Sequence, residues 1–203
     1  SKFDDEEAKA ARAILAPGSP EQCFQAAARA VVLAEKAQGP VFILTDQYLA
    51  DSYRAVEPFD PSSVPAVSLC DPAPDNGEAY SRYAMTETGV SPRALPGMSG
   101  KLVVADSDEH TEDGHITEDL HVRCLMVKKR LRKQEILLRE CLPPTYSGAV
   151  CPDLLLVCWG SALGAVQEAA EELCSDGFTT ATLHFPQVWP LVPEQFLPAL
   201  TAA

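Results

Sequence analysis

A strand–helix–strand unit near the start of the chain constrains the fold most. A short apolar run at residues 12–16 precedes a helix start signal, with Ser19 as the N-cap and Pro20 at the first helical position. Apolar residues then recur at helical spacing until Gly39, and residues 41–45 form a nearly continuous apolar run. Such a run is typical of a parallel strand covered by helices on both faces. We therefore predict an α/β fold with a parallel strand, buried on both faces, at residues 41–45.

The end of that strand offers two candidate ligand contacts. In open parallel sheets, ligands collect outside the carboxyl ends of the strands. Asp46 and Gln47 follow the strand directly, so either side chain is placed to contact a ligand. Asp46 is at least as well suited to be the N-cap of a following helix.

The segment at residues 52–97 is predicted to be irregular because it contains seven prolines and few periodic apolar positions. A long irregular segment in a compact protein is usually functional or wraps a neighbour. Within it, prolines on both sides of Arg93 fix the backbone direction. A rigidly held guanidinium suits the two-pronged binding of a carboxylate or phosphate. An internal salt bridge is the alternative for this arginine.

An acidic segment at residues 106–119 holds seven carboxylates and two histidines. We predict a short buried strand before it at residues 101–105, and one long amphipathic helix with a basic face after it at residues 120–140. Carboxylates at this density indicate a functional site, a subunit contact or a solvated loop. The basic face of the helix is a possible partner for the acidic segment.

The two histidines of this segment, His110 and His115, suggest a metal site at first sight. Their spacing of five residues is not that of a pair on one helical face, and Gly114 between them indicates a turn. We therefore predict no metal site here, and a cofactor or subunit contact remains open beside the solvated loop.

Composition narrows the function classes. The net charge of −13 disfavours nucleic acid as a partner, and no apolar stretch is long enough to cross a membrane. The seven cysteines have irregular spacing and no Cys-x-x-Cys motif. This usage indicates a reducing compartment, so we expect a cytoplasmic protein. Cys23, Cys158 and Cys174 lie in apolar stretches and are expected to be core residues.

The last third of the chain repeats the α/β pattern, with predicted strands at residues 153–160 and 179–185 around a helix at residues 161–174. The junction at Gly160 and Ser161 offers free helix N–H groups to an anion. It lacks the full glycine pattern of a nucleotide site, so the signal is weak. No nucleophile elbow supports hydrolytic catalysis.

Five segments, in order, resemble the alpha subunit of 2-oxoacid:ferredoxin oxidoreductases, and the 2-oxoglutarate-type enzymes in particular. The acidic segment, Asp-Ser-Asp-Glu-His-Thr-Glu-Asp-Gly-His-Ile-Thr-Glu-Asp, is the most specific of them. The full set is residues 39–52, 89–97, 106–119, 126–133 and 184–191.

This resemblance implies a thiamine diphosphate enzyme that decarboxylates a 2-oxoacid, forms an acyl-CoA and passes electrons through an iron–sulfur cluster to ferredoxin. Residues 1–145 would be the later part of a pyrimidine-binding domain, and residues 150–203 all or part of a transketolase C-terminal-like α/β domain. The diphosphate, its magnesium and the cluster would belong chiefly to a beta subunit, so the chain alone is expected to bind none of them. Arg93 would contact the substrate carboxylate. The candidates for the cofactor end of the domain or a subunit interface are Asp46, Gln47, Asp108, His110 and His115.

Parts of the family pattern are missing. The sequence has no Tyr-Pro-Ile-Thr-Pro motif and no glycine-rich segment from the first half of the pyrimidine-binding domain, where the glutamate that activates thiamine would lie. We therefore expect a C-terminal portion of such a subunit, inactive by itself. Two alternatives stay open: a non-catalytic binding module that keeps the fold, and a metal-dependent hydrolase that uses residues 106–119.

Overall fold

The computed structural model of the chain describes residues 11–64, 66, 79–95, 100–106 and 108–203. The predicted irregular stretch at residues 52–97 and the acidic segment at residues 106–119 therefore lie partly outside the described residues. Among described residues of the irregular stretch, the only regular element is a 3-10 turn at Pro61–Ser63.

The first sheet contains the predicted strand–helix–strand unit. It runs from β1 (Ala13–Leu15) through α1 (Pro20–Ala37) to β2 (Val41–Ile43), and the two strands pair in parallel. The Ser19 hydroxyl accepts a hydrogen bond from the Gln22 amide at 3.3 Å. Both the unit and its N-cap are thus confirmed. A short helix, α2, follows at Gln47–Ala50.

The expected burial of the second strand on both faces is wrong for the described chain. Phe42, Ile43 and Leu44 are 48%, 38% and 41% exposed. Successive side chains of a strand point to opposite faces, so the described residues leave both faces of β2 partly uncovered. The sheet order is β2-β1-β6, and β2 lies at its edge. Its outer side has no neighbouring strand among the described residues.

The second sheet has the order β3-β5-β4. It comprises β3 (Thr145–Gly148), β4 (Leu154–Trp159) and β5 (Thr180–Phe185), with α5 (Ala162–Ser175) between the two parallel strands. β3 pairs antiparallel with β5. These elements confirm the predicted strands and helix of the last third, whereas β3 was not predicted.

The chain returns to its first sheet near the end. β6 (Gln187–Trp189), also not predicted, pairs antiparallel with β1. A 3-10 turn at Pro193–Gln195 and α6 (Leu197–Thr201) follow.

The predicted long basic helix is broken at one residue. It forms α3 (Leu120–Arg132) and α4 (Gln134–Arg139), and the Lys133 amide donates to the Arg130 carbonyl at 3.2 Å, three residues back. This bond has the three-residue spacing of a 3-10 turn. Leu137 of α4 packs with residues of β1 and α1 in a buried core cluster.

Two further expectations are wrong. Residues 101–105 are not a strand, because no described strand pairs with this segment. Leu102 in this segment is 80% exposed. Cys174 is exposed on α5, whereas Cys158 is buried as expected and Cys23 is partly buried. Across the described ranges, every helix is too short or too polar to span a membrane.

Candidate functional site

Asp46 connects the carboxyl ends of the two sheets. Its Oδ1 accepts the Leu49 amide hydrogen at 2.9 Å, which makes it the N-cap of α2. Its Oδ2 accepts a hydrogen bond from the hydroxyl of Ser161, the residue that precedes α5. The Ser161 bond, and then the Leu49 amide, lower the pKa of this carboxyl group. The capping alternative for Asp46 is thus confirmed.

Gln47 lies beside Asp46 on an open surface. Its amide donates to the Asp51 carboxylate at 3.2 Å. It also borders an open cavity of about 700 Å³, which exposed tyrosines and polar side chains line: Gln47, Tyr48, Asp51, Ser52, Tyr53 and Arg54. No hydrogen bond or ion pair among the described residues joins Asp46 or Gln47 to the other candidate residues.

The loop that carries Arg93 is held between α1 and α3. The Arg93 guanidinium forms an ion pair with Glu35 of α1, and both side chains are about one-quarter exposed, at 24% and 25%. Two residues earlier, Ser91 is 2% exposed. Its carbonyl accepts a hydrogen bond from the Gln38 side chain at 2.7 Å, also from the end of α1. The internal partner foreseen as the alternative for Arg93 is therefore present.

Lys129 supplies the contact from α3. It is 4% exposed, and its ammonium donates to the Tyr83 carbonyl at 2.7 Å and to the Ser91 hydroxyl at 2.6 Å. Burial, followed by the nearby positive charges of Lys133 and Arg82, lowers its pKa to about 8. The ammonium is thus mostly protonated at neutral pH, although among the described residues it forms no ion pair and Glu112 is the one carboxylate whose charge counteracts the lowered pKa.

Sequence reasoning missed Lys129 because it treated the whole basic face of the helix as solvent-facing or as a partner for the acidic segment. A signal was available in the spacing. On the single helix that the sequence predicts, Met126, Lys129 and Leu137 lie along one stripe, and all three are buried in the structure. A lysine inside an apolar stripe indicates a buried donor rather than a solvated charge.

The acidic segment folds back on itself. Residues His110 and Ile116 form an isolated antiparallel bridge, and Gly114 makes the turn with φ +95°. A Cβ atom at Gly114 would overlap the Val104 carbonyl, so the predicted turn glycine is required. The Tyr83 amide donates to the Glu112 carbonyl at 2.8 Å and joins this hairpin to the preceding loop.

An ion pair joins the acidic segment to the basic helix, as the sequence suggested. Glu109 accepts two hydrogen bonds from the Arg130 guanidinium, at 3.1 and 2.8 Å. This interaction is the main cause of the lowered pKa of Glu109, against which burial acts.

The two histidines of the segment lie in different surroundings. His110 stacks on the Tyr83 ring with a centroid distance of 3.6 Å, whereas the exposed His115 lies 3.1 Å from the Asp113 carboxylate. Asp108 is exposed on the same segment. In the described ranges, no three His, Cys, Asp or Glu side chains come together as a metal site. Tyr83 therefore links His110 to Lys129 and Ser91, while His115 and Asp108 face solvent.

The chain is similar to known oxidoreductase subunits. Residues 7–129 match the family described as "Pyruvate flavodoxin/ferredoxin oxidoreductase, thiamine diP-bdg". A 2-oxoacid:ferredoxin oxidoreductase alpha subunit from Aeropyrum pernix is 36% identical over 197 residues, which is 91% of this chain and 30% of the relative. A corresponding subunit from Sulfurisphaera tokodaii is 34% identical over 165 residues, covering 78% of this chain and 26% of the relative. The 2-oxoglutarate oxidoreductase subunit KorA of Mycobacterium tuberculosis is 29% identical over 183 residues, covering 88% of this chain and 27% of the relative.

A solved structure has the same chain path. It is the 2-oxoglutarate:ferredoxin oxidoreductase from Magnetococcus marinus with 2-oxoglutarate, coenzyme A and succinyl-CoA bound. The two agree with a TM-score of 0.79 and 28% identity over 91% of this chain and 32% of the other. The chain thus spans about a third or less of the length of these relatives.

Replacing Glu109 by glutamine should lower the free energy of unfolding by about 1 kcal/mol at pH 7, since the neutral amide loses a charge-assisted pair that solvent partly screens. The folded-state pKa of Glu109 lies below its ordinary value of 4.5. Its stabilisation is therefore complete above that value and is lost as the pH falls through the lowered folded-state pKa. Denaturation at several pH values should show the difference between Glu109→Gln and wild type narrowing in acid.

The matched control is Glu118→Gln, an exposed carboxylate of the same segment. It should change stability by less than about 0.5 kcal/mol. Equal destabilisation by both variants at pH 7, or a difference that persists in acid, would contradict the role of the Glu109–Arg130 pair.

Proposed function

Because the chain belongs to the thiamine diphosphate-binding family of pyruvate flavodoxin/ferredoxin oxidoreductases, we propose that it is part of the alpha subunit of a 2-oxoacid:ferredoxin oxidoreductase. The proposed reaction is oxidative decarboxylation of a 2-oxoacid to an acyl-CoA, with electrons passed to ferredoxin. The observation that carries the proposal is the common chain path, with a TM-score of 0.79, over 91% of the chain.

We propose 2-oxoglutarate as the 2-oxoacid. The Mycobacterium tuberculosis relative and the Magnetococcus marinus structure are both named for this substrate. The acyl-CoA product would then be succinyl-CoA, which is bound in the Magnetococcus marinus structure together with coenzyme A.

The cofactors would be shared between subunits. Thiamine diphosphate, when bound, supplies the electron sink that allows the 2-oxoacid to lose carbon dioxide. Within the described residues, no donor set fits a metal ion, and the six described cysteines are free thiols. We propose, as the resemblance to the family implies, that the magnesium, the diphosphate and the iron–sulfur cluster belong chiefly to a beta subunit. The free thiols also support a reducing, cytoplasmic location.

The division of the chain into two domains is also part of the proposal. Residues 1–145 would be the later part of the pyrimidine-binding domain, and residues 150–203 a transketolase C-terminal-like domain. The second sheet with α5 supports a distinct α/β unit there, and β6 ties it to the first sheet.

We propose that Arg93 binds the substrate carboxylate. The two-pronged geometry of its guanidinium suits that ligand, and one planar guanidinium can engage carboxylates on more than one edge. Glu35 would then orient the group from α1. In this proposal the Ser-Pro-Arg loop faces the active-site end of the domain.

We propose that Asp46, Gln47, Asp108, His110 and His115 lie at the cofactor end of the domain or at the interface with the beta subunit. Their exposure or partial exposure supports a contact with another chain. The separate directions of His110 and His115 favour hydrogen bonding over a shared metal ion, which leaves the hydrolase alternative without a described ligand set.

The isolated chain should have no oxidoreductase turnover and should bind thiamine diphosphate weakly or not at all. Positioning the reactive atom requires groups that we assign to the rest of the enzyme. Isothermal calorimetry and a ferredoxin-reduction assay test this, with a complex co-expressed with a beta subunit as the positive control. Micromolar binding to the isolated chain would refute the division of the cofactor site. A complex that forms but never turns over would favour the non-catalytic binding module.

Replacing Arg93 by lysine in the active complex should raise the Michaelis constant for the 2-oxoacid more than that for CoA. Lysine keeps the positive charge but cannot form the two parallel hydrogen bonds of a guanidinium, which should weaken substrate binding by about 1.5–3 kcal/mol. Steady-state kinetics with both substrates measures the two constants. Arg139→Lys, in an exposed ion pair with Glu135 on α4, is the control and should leave both constants unchanged. If Arg93→Lys also leaves both unchanged, Arg93 has only a structural role.

The segment at residues 106–119 should exchange its amide hydrogens more slowly in the complex than in the isolated chain. Its seven carboxylates repel one another, and the Glu109–Arg130 pair offsets only part of that charge. A subunit contact would supply further cations or donors. Hydrogen exchange read by mass spectrometry is the measurement. Equal protection in both states, or loss of protection on adding a chelator, would contradict the interface.

A further inference from the structure

The loop around Arg93 has no helix or strand to hold it, so side chains must fix its backbone. Both oxygen atoms of Ser91 are used for this purpose. Its carbonyl accepts from Gln38 at 2.7 Å, and its hydroxyl accepts from Lys129 at 2.6 Å while donating to the Ala84 carbonyl at 2.8 Å. On the other side of Arg93, the Ala94 amide donates to the Tyr80 hydroxyl at 2.9 Å.

Lys129 touches the same loop a second time through its backbone. Gly89 has φ +81°, and a Cβ atom there would overlap the Lys129 carbonyl oxygen. Only glycine allows this close approach at that backbone conformation. One residue of α3 therefore packs closely against the loop at Gly89 through its main chain and binds Ser91 through its side chain.

The group that makes this contact is costly to bury. A buried ammonium loses its hydration, and here its two hydrogen bonds and the charge of the nearby Glu112 compensate for only part of that loss. The pKa of Lys129 is lowered to about 8 accordingly. A methionine of similar length would pack in the same space without that cost, so a purely space-filling role does not account for a lysine here.

We propose that Lys129 is a positioning residue for Arg93. By holding Ser91, it would fix the start of the Ser91–Pro92–Arg93 turn, and the proline would transmit that orientation to the guanidinium. Glu35 of α1 contacts the turn at Arg93, and Gln38, the residue that follows α1, contacts it at the Ser91 carbonyl. This inference rests on the proposed function, in which Arg93 binds the carboxylate of the 2-oxoacid.

The test compares Lys129→Met with Lys128→Met in the co-expressed complex. Both variants remove one positive charge from neighbouring positions of α3, but Lys128 is exposed. Lys129→Met should speed amide exchange over residues 89–95 and raise the Michaelis constant for the 2-oxoacid about tenfold, the effect of one lost charge-assisted hydrogen bond. The Michaelis constant for CoA should change less than about twofold, within the range of a neutral surface substitution. Lys128→Met should leave the exchange and both constants at wild-type values.

A double variant identifies the route of the effect. If Lys129 acts through Arg93, Lys129→Met should add little in the Arg93→Lys background, since residues in one network are not additive. The inference is overturned if the two effects multiply, if both Michaelis constants rise together, or if Lys129→Met behaves like Lys128→Met.

Two further outcomes separate the possible failures. Should Lys129→Met fail to fold, Ser91→Ala removes the same hydrogen bond from the other partner and should shift the same constant in the same direction. An unchanged constant in Ser91→Ala overturns the inference. The inference is also overturned if Lys129→Met speeds exchange at residues 89–95 while Arg93→Lys keeps wild-type kinetics. In that case Lys129 does fix the loop, and it is the proposed substrate role of Arg93 that fails.

Discussion

The side chain of Lys129 carries a positive charge into a site that is 4% exposed, where its ammonium donates to the Tyr83 carbonyl and the Ser91 hydroxyl. In a segment without helix or strand, the buried backbone N–H and C=O groups need hydrogen-bond partners other than a regular series of backbone hydrogen bonds. A long side chain with three donors can do this from a neighbouring helix. The same Tyr83 carries the stacked ring of His110 and donates its amide to the acidic hairpin at Glu112. Both irregular segments therefore depend on the position of one helix, α3.

The contacts between the two sheets differ from those that hold the irregular segments. They are a close approach of two backbones and a side-chain hydrogen bond. A Cβ atom added to Gly18, after β1, would lie 2.6 Å from the Gly160 carbonyl oxygen at the end of β4. Asp46 and Ser161 make a second connection at the same ends of the strands. The buried Gln187 of β6 accepts a hydrogen bond from the Leu142 amide at 3.2 Å, which ties the first sheet to the segment that leads into β3. The carboxyl ends of β1, β2 and β4 are thus held together, and this is the edge at which ligands of α/β sheets collect.

Local signals predicted the regular elements well and the contacts between distant segments poorly. The Ser19 N-cap and the Gly114 turn depend on residues close in sequence, and both are confirmed. The supposed strand at residues 101–105 failed because strand formation needs a pairing partner that an apolar run does not specify. For Arg93, the sequence indicated a fixed guanidinium but not its partner, since Glu35 lies 58 positions away. Lys129 was missed because charge was given more weight than its position on a buried stripe.

The exposure of β2 shows that the apolar sequence of a strand does not by itself determine how deeply the strand is buried. The run from Val41 to Leu44 is typical of a parallel strand covered on both faces, yet Phe42 is 48% exposed in the described chain. Burial depends on every segment that surrounds a strand, whereas the apolar run belongs to the strand itself. A parallel edge strand without a charged or bulged residue to protect it would invite aggregation. Apolar edge strands are therefore normally covered by other protein surface. The relatives are roughly three times longer than the part that this chain matches.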